Sequence, residues 1–120
     1  MAAFAAHELG QAGEQAAAAF LISLGYTVAR RGYRYRRAEV DLIVQRGQEL
    51  LVFVEVKTRS SAQFGFPEEF VTERKKQLFR LAAENYQEET NWAGDIRFDI
   101  LALAPNSAGF RIEHFEDAFY

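Results

Sequence analysis

The chain has 120 residues, 49% hydrophobic and 26% charged, with a net charge of −3 and no cysteine. Those values fit one globular domain over residues 1–120 with a modest core, and they exclude disulfides and thiolate zinc sites. No apolar run approaches the ~18 residues of a membrane span. Met1 to Glu8 lacks the basic flank and long apolar core of a signal peptide, so a cytoplasmic chain without membrane attachment is expected.

The charge is unevenly spread. No Lys or Arg precedes Arg30; from Arg30 to Arg59 eight basic residues stand against four acidic ones, and from Leu81 onward two stand against eight. A local basic surface beside acids is what a phosphodiester substrate requires, whereas an acidic tail serves solubility.

Residues from about Ala5 to Leu24 read as a helix. Leu9, Gly13, Ala16, Phe20 and Leu24 recur on one stripe, flanked by Ala17 and Leu21, and Gly25 suits the C′ position. Glu14 lies at the edge of that stripe, either solvated or facing a site on the sheet. Tyr26 to Arg37 reads as a strand in which Tyr33 and Tyr35 alternate with Arg34 and Arg36. Gly32 there marks a bulge or a close backbone approach. Arginine interleaved with tyrosine suits nucleic-acid contact, and equally suits an edge strand protected from aggregation.

Ala38–Val44 and Glu49–Lys57 read as a hairpin, rich in Val, Ile, Leu and Phe, with Gly47 in the turn. Alternation places Glu55 and Lys57 on one face with Phe53 and Leu51. Matching apolar face to apolar face opposes Val40 to Val56, Leu42 to Val54 and Asp41 to Glu55, and a one-residue slip would put Asp41 among the valines. Two carboxylates facing each other repel. Either a divalent cation sits between them, for which hard oxygen ligands suit Mg²⁺, or a cross-strand salt bridge neutralises them. Lys57 on the same face is placed to steady charge on a phosphate.

Thr58 to Phe66 reads as a loop. Pro67 suits N1 of a second helix, with Glu68 and Glu69 in its first turn, running to about Gln87. Its expected inward stripe is Val71, Lys75, Leu78, Ala82 and Tyr86. Lys75 in that stripe either snorkels to water or reaches the carboxylates. Asn91–Gly94 is a turn carrying Trp92, a packing residue. Asp95–Leu103 and Phe110–Phe115 are strands. His7 and His114 have no acid or hydroxyl partner at a recognisable spacing and read as surface residues.

This layout is α/β with a central mixed sheet, an antiparallel hairpin and two main helices. Asp41 with Glu55-Val56-Lys57 resembles the core of the PD-(D/E)xK nucleases. The order of elements, with Gly10-x-x-Gly13-Glu14-x-x-Ala17, Gly25-Tyr26, Arg31-x-x-Arg34, Glu39-Val40-Asp41-Leu42-Ile43 and Phe53-Val54-Glu55-Val56-Lys57-Thr58-Arg59, resembles the YraN-like family of small bacterial proteins, similar in fold to archaeal Holliday-junction resolvases. Phe64-Gly65-x-Pro67, Lys75 and Arg97-Phe98-Asp99 match as well. Ala38 and Gly32 depart from the family, which usually has Gly and Asn there.

The resemblance implies a restriction-endonuclease-like core. It implies that Asp41, Glu55 and the Val56 carbonyl are ligands of Mg²⁺ (or Mn²⁺), that Lys57 is the catalytic lysine, and that Glu14 completes the site. Glu39 and Lys75 would support it, and Arg31, Arg34, Arg36 and Arg59 would bind nucleic acid. Two functions are then expected. One is a metal-dependent endonuclease on structured or branched DNA, paired as a two-fold homodimer where two strands are cut. The other is a nucleic-acid-binding or protein-interaction module of the same fold that does not cleave.

Overall fold

The structure, a computed structural model, describes residues 6–60 and 71–120. Its elements are α1 (Ala6–Ser23), β1 (Thr27–Tyr35), β2 (Ala38–Arg46), β3 (Leu50–Thr58), α2 (Glu73–Thr90), β4 (Asp95–Asn106) and β5 (Gly109–Phe119). The five strands form one sheet in chain order. β1, β2 and β3 are antiparallel neighbours, β4 joins β3 in parallel after the α2 crossover, and β5 turns back antiparallel on β4. The expected mixed α/β sheet with its hairpin and two helices is therefore present, consistent with a restriction-endonuclease-like core. No helix among the described residues is long and apolar enough to cross a membrane.

β3 is the central strand and reads as an apolar run because both of its faces are covered. Leu51, Val52, Phe53 and Val54 are all fully buried. Leu51 and Phe53 pack in the core beneath α2, with Phe79, Ala82, Ala83 and Tyr86 of that helix. Val52 and Val54 pack in the second core beneath α1, with Ala17, Ala18 and Leu21. α1 comes very close to the sheet at one point: a Cβ on Gly13 would lie 2.0 Å from Thr58 Oγ1. Only glycine lets helix and strand meet there.

The hairpin register is the one alternation requires, with Ile43 opposite Phe53 and Leu42 opposite Val54. The ladder stops at that last pair. Val40 is correspondingly not opposed to Val56: it packs in the α2-side core, whereas Val56 lies against the α1-side core. β2 stays paired with β1 through Val40 and Ala38, so it follows β1 away from β3 and the strict alternation breaks at Asp41. Gly32 has the left-handed backbone expected of a special position, but the β1–β2 register shift falls between Val28 and Arg30.

Other boundaries differ from the sequence expectation. α2 begins at Glu73, not at Pro67; Pro67, Glu68 and Glu69 lie outside the described residues. Its N-cap is Thr72, whose hydroxyl accepts the Lys75 amide at 3.2 Å. That hydroxyl satisfies one of the free amides of the first turn, a stop that proline alone does not supply. The helix continues to Thr90 and ends on Asn91 in the left-handed region, whose amide returns to Gln87 and Glu88. Val71 is buried ahead of the helix, and Phe79 takes the central inward place. Leu24 is exposed, because α1 ends before it.

Candidate metal centre

Two charged residues among those described are buried, Glu55 at 2% exposure and Asp99 at 0%. Glu55 lies where β3 passes under the first turn of α2. Asp41 stands across the hairpin, at the point where β2 leaves the ladder. With no strand partner there, the Val56 amide donates to Asp41 Oδ2 at 2.8 Å. Asp41 and Glu55 thus share one side of the hairpin, close enough that each carboxyl acts on the other. Two acids so placed, largely out of water, make it costly for both to ionise. Burial, reinforced by the bond to Asp41 and its charge, pushes Glu55 up to about 7, against the pull of Lys75. Asp41 is also raised, first by burial and further by the charge of Glu14, while Glu55, the Val56 amide and Lys75 act against this.

Two ammonium groups face the pair. Lys75 Nζ reaches down from α2 against Glu55 Oε2. Lys57 Nζ, two residues along β3, is 3.5 Å from the same oxygen. The Thr72 cap sets the position of Lys75, and the pleat sets that of Lys57. Both contacts are ion pairs. Glu55 Oε2 meets the two ammonium groups without ideal hydrogen-bond geometry. A buried carboxylate oxygen neutralised in this way is a position that a hard cation could take over from the lysines.

The donor set fits Mg²⁺ in kind, since that ion takes one or two carboxylates and keeps several waters. Among the described residues no three carboxylates or histidines gather closely enough to form a complete cage. Glu14 is exposed at the edge of α1, and its charge is felt at Asp41. Val56 meets the site through its amide, whereas the resemblance puts forward its carbonyl. Glu39 is exposed, paired with Arg34 at 2.7 Å, and lines a pocket of about 460 Å³ with Asp41 and Lys75.

Of the four arginines expected to bind nucleic acid, Arg31 and Arg34 lie on β1 and Arg59 follows β3. Arg36 sits in the β1–β2 turn and lines a second pocket of about 490 Å³. Arg31, Arg34 and Arg59 line neither pocket. Arg37 and Arg74, which line both, were not singled out from the sequence. The available signal was helical spacing: Arg74, Leu78 and Leu81 recur at i, i+4 and i+7.

The reading of His114 as a surface residue is corrected. Its side chain is 10% exposed and its Nε2 lies 2.7 Å from Asp99 Oδ2. Arg97 donates from Nε and Nη2 to Asp99, both at 2.8 Å, and the Asp117 amide donates at 3.0 Å. Arg97 also donates to the Tyr26 hydroxyl, and Phe20 of α1 meets the His114 ring edge-on. Burial raises the Asp99 carboxyl, but these donors outweigh it and hold the group below the usual range. β5 supplies the histidine from a distant stretch, so no local spacing announced it.

The model of the family described as "Uncharacterised protein family UPF0102" matches residues 13–103 of the chain. This chain belongs to the UPF0102 family. A UPF0102 protein of Flavobacterium johnsoniae is 45% identical over 118 residues, covering 95% of each chain. One of Christiangramia forsetii is 43% identical over 114 residues, again covering 95% of each. One of Pelotomaculum thermopropionicum is 41% identical over 114 residues, covering 92% of this chain and 94% of that one. The UPF0102 match spans Glu14, Asp41, Glu55, Lys57 and Lys75, and it stops before β5 and His114.

Proposed function

We propose that this chain is a Mg²⁺- or Mn²⁺-dependent endonuclease that hydrolyses phosphodiester bonds in structured or branched DNA. The observation that carries the reading is the close pair of Asp41 and buried Glu55, with two lysines against Glu55 Oε2. Two acids held this close are costly to ionise together and become favourable when a cation lies between them. Asp41 and Glu55 would hold the ion. When bound, it would supply Lewis-acid polarisation of the phosphate and an acidified water.

The chain's own groups supply the rest. The Val56 amide fixes Asp41 so that one carboxylate oxygen is held in place. Lys57 offers ammonium donors to a phosphate oxygen as negative charge builds there. Lys75, were a cation held by Glu55, would be free to pair with the polyanion. In the net reaction a water oxygen bonds to phosphorus, one phosphorus–sugar oxygen bond breaks, and a proton from the water ends on the departing sugar oxygen.

A second reading has its own support. Lys75 already sits against Glu55, and no three-ligand cluster is formed among the described residues. On that reading the chain is a nucleic-acid-binding or protein-interaction module that does not cleave. Incubation with linear, nicked and four-way DNA in Mg²⁺ tests the two. The nuclease reading expects cleavage by the wild type, lost in Asp41→Asn and Glu55→Gln, with DNA binding in Ca²⁺ retained. Equal cleavage by wild type and both variants, or none by any of them under Mg²⁺ and Mn²⁺, would remove it.

A further inference from the structure

The β1–β2 turn and α2 bring together three arginines that the acid pair does not use. Arg36 and Arg37 form the two-residue turn, and Arg36 adopts φ 56°. Such a position takes Asn or Gly with little strain, and an arginine there is unusual. The Arg36 guanidinium lies 5.2 Å from the centre of the Tyr35 ring, which holds it in place. Arg74 comes from the first turn of α2, one turn ahead of Leu78.

The two pockets share Arg37, Arg74 and Leu78 and so adjoin, giving a trough in two parts. Its two ends differ in charge. Near Asp41 it carries Glu39 and Lys75 as well. At the far end Arg36, Arg37 and Arg74 stand over Leu78 and Leu81 with no acid in the lining. No carboxylate among the described residues pairs with these three arginines, in contrast to Arg34, which Glu39 holds. Leu81 is 37% exposed, a large apolar side chain forming an open floor.

Resting on the nuclease reading, we propose that this trough is the track for the nucleic-acid strand on one side of the reacting phosphate, gripped through its backbone by Arg36, Arg37 and Arg74. Guanidinium groups bind phosphate oxygens in a bidentate fork. Leu78 and Leu81 present an apolar floor to the sugar edges between phosphates. Interactions of this kind set register without reading sequence. The strand passes from three cations to the acid pair, so the trough aligns one phosphodiester at the end where the cation would sit.

The test is salt-dependent binding of fluorescein-labelled four-way DNA, linear duplex DNA and duplex RNA, in Ca²⁺, by fluorescence anisotropy. The slope of log affinity against log salt becomes shallower by about 0.9 for each phosphate that the protein no longer neutralises. Arg37→Gln and Arg74→Gln are expected each to flatten it by about that amount, and the double variant by about twice as much. Arg111→Gln removes the same charge from β5 and is expected to leave the slope unchanged. Flattening on DNA and RNA alike assigns the track to phosphate, and flattening on one of them adds a sugar preference to the same track. Unchanged slopes in Arg37→Gln and Arg74→Gln, or equal flattening in Arg111→Gln, overturn the proposal. If the wild type cleaves in Mg²⁺ while those slopes stay fixed, the track alone falls. If the wild type binds none of the three probes, track and nuclease reading fall together.

Discussion

Glu55 and Asp99 lie on adjacent strands one register step apart, since Asp99 is opposite Val54, and so they face opposite sides of the sheet. Each is buried. Asp99 meets the Arg97 guanidinium, the His114 ring and the Asp117 amide, with donors on both of its oxygens. Glu55 meets another carboxyl and two half-exposed lysines. An acid locked by fixed donors serves the fold; one held by lysines that can swing away is open to something else.

Asp99→Ala is expected to destabilise the protein by about 3–5 kcal/mol, because it strands Arg97 and His114 in the α1-side core. Urea unfolding measures this. Since the folded carboxyl is held below its ordinary value, its contribution is present above that value and lost as pH falls through the folded one. Asp99→Asn should therefore remove part of the acid transition. Mn²⁺ affinity should be unchanged, as the network lies on the other face. A stable Asp99→Ala with normal acid unfolding would refute the structural role.

The acid pair has the opposite pH dependence. The Glu55 carboxyl is raised from 4.5 to about 7 in the folded protein. Its stabilising protonation is complete below 4.5 and is lost as pH rises through about 7. In EDTA the wild type should melt several degrees higher at pH 5.5 than at pH 8, beyond the shift seen in Glu55→Gln. The variant should also be the more stable of the two at pH 8. A parallel pH profile in wild type and variant would contradict the raised Glu55 carboxyl.

Cation binding must then expel that proton. Titration with Mn²⁺ by calorimetry near pH 6.5, in buffers of different ionisation enthalpy, is expected to show release of up to about one proton. Affinity should weaken as pH falls below 6. Lys75→Met should tighten Mn²⁺ binding, because it removes the internal cation that competes for Glu55. Proton-neutral binding would mean that the ion sits elsewhere.

Gly13→Ala should cost about 1–3 kcal/mol, since its Cβ would crowd the Thr58 side chain, 2.0 Å from Oγ1 and 3.0 Å from Cβ. Thr58→Ala removes Oγ1 and Cγ2 and should recover part of that stability. A double-mutant cycle by chemical denaturation isolates the coupling. Additive effects would show that the two residues do not press on one another.

Legibility in the sequence followed the range of each interaction. Alternation in Leu42–Val44 against Val52–Val54 was enough for the hairpin register, because burial of one face forbids a slip. Lys75 was visible as a charge in an apolar stripe. Val40 was not, because its side depends on β2 following β1 rather than β3. Phe79 shares the face of Lys75, Ala82 and Tyr86 by spacing alone and was passed over for its neighbour Leu78, which lies at the edge of that face. The Asp99–His114 contact spans the β4–β5 hairpin and depends on a register that the sequence reading leaves unassigned; Arg37 and Arg74 are brought to one pocket only by the docked helix, which no local pattern encodes.

The parallel seam between β3 and β4 has a consequence for the growing chain. Antiparallel β1, β2 and β3 are linked by short turns, so Asp41 and Glu55 are joined by contacts of short sequence range, of the kind that form readily. Their cover is of longer range, since α2 lies over them and β4 reaches β3 only after that crossover. The burial that raises the Glu55 carboxyl therefore comes from a different part of the chain than the pair itself, and a chain ending before α2 is expected to lack it.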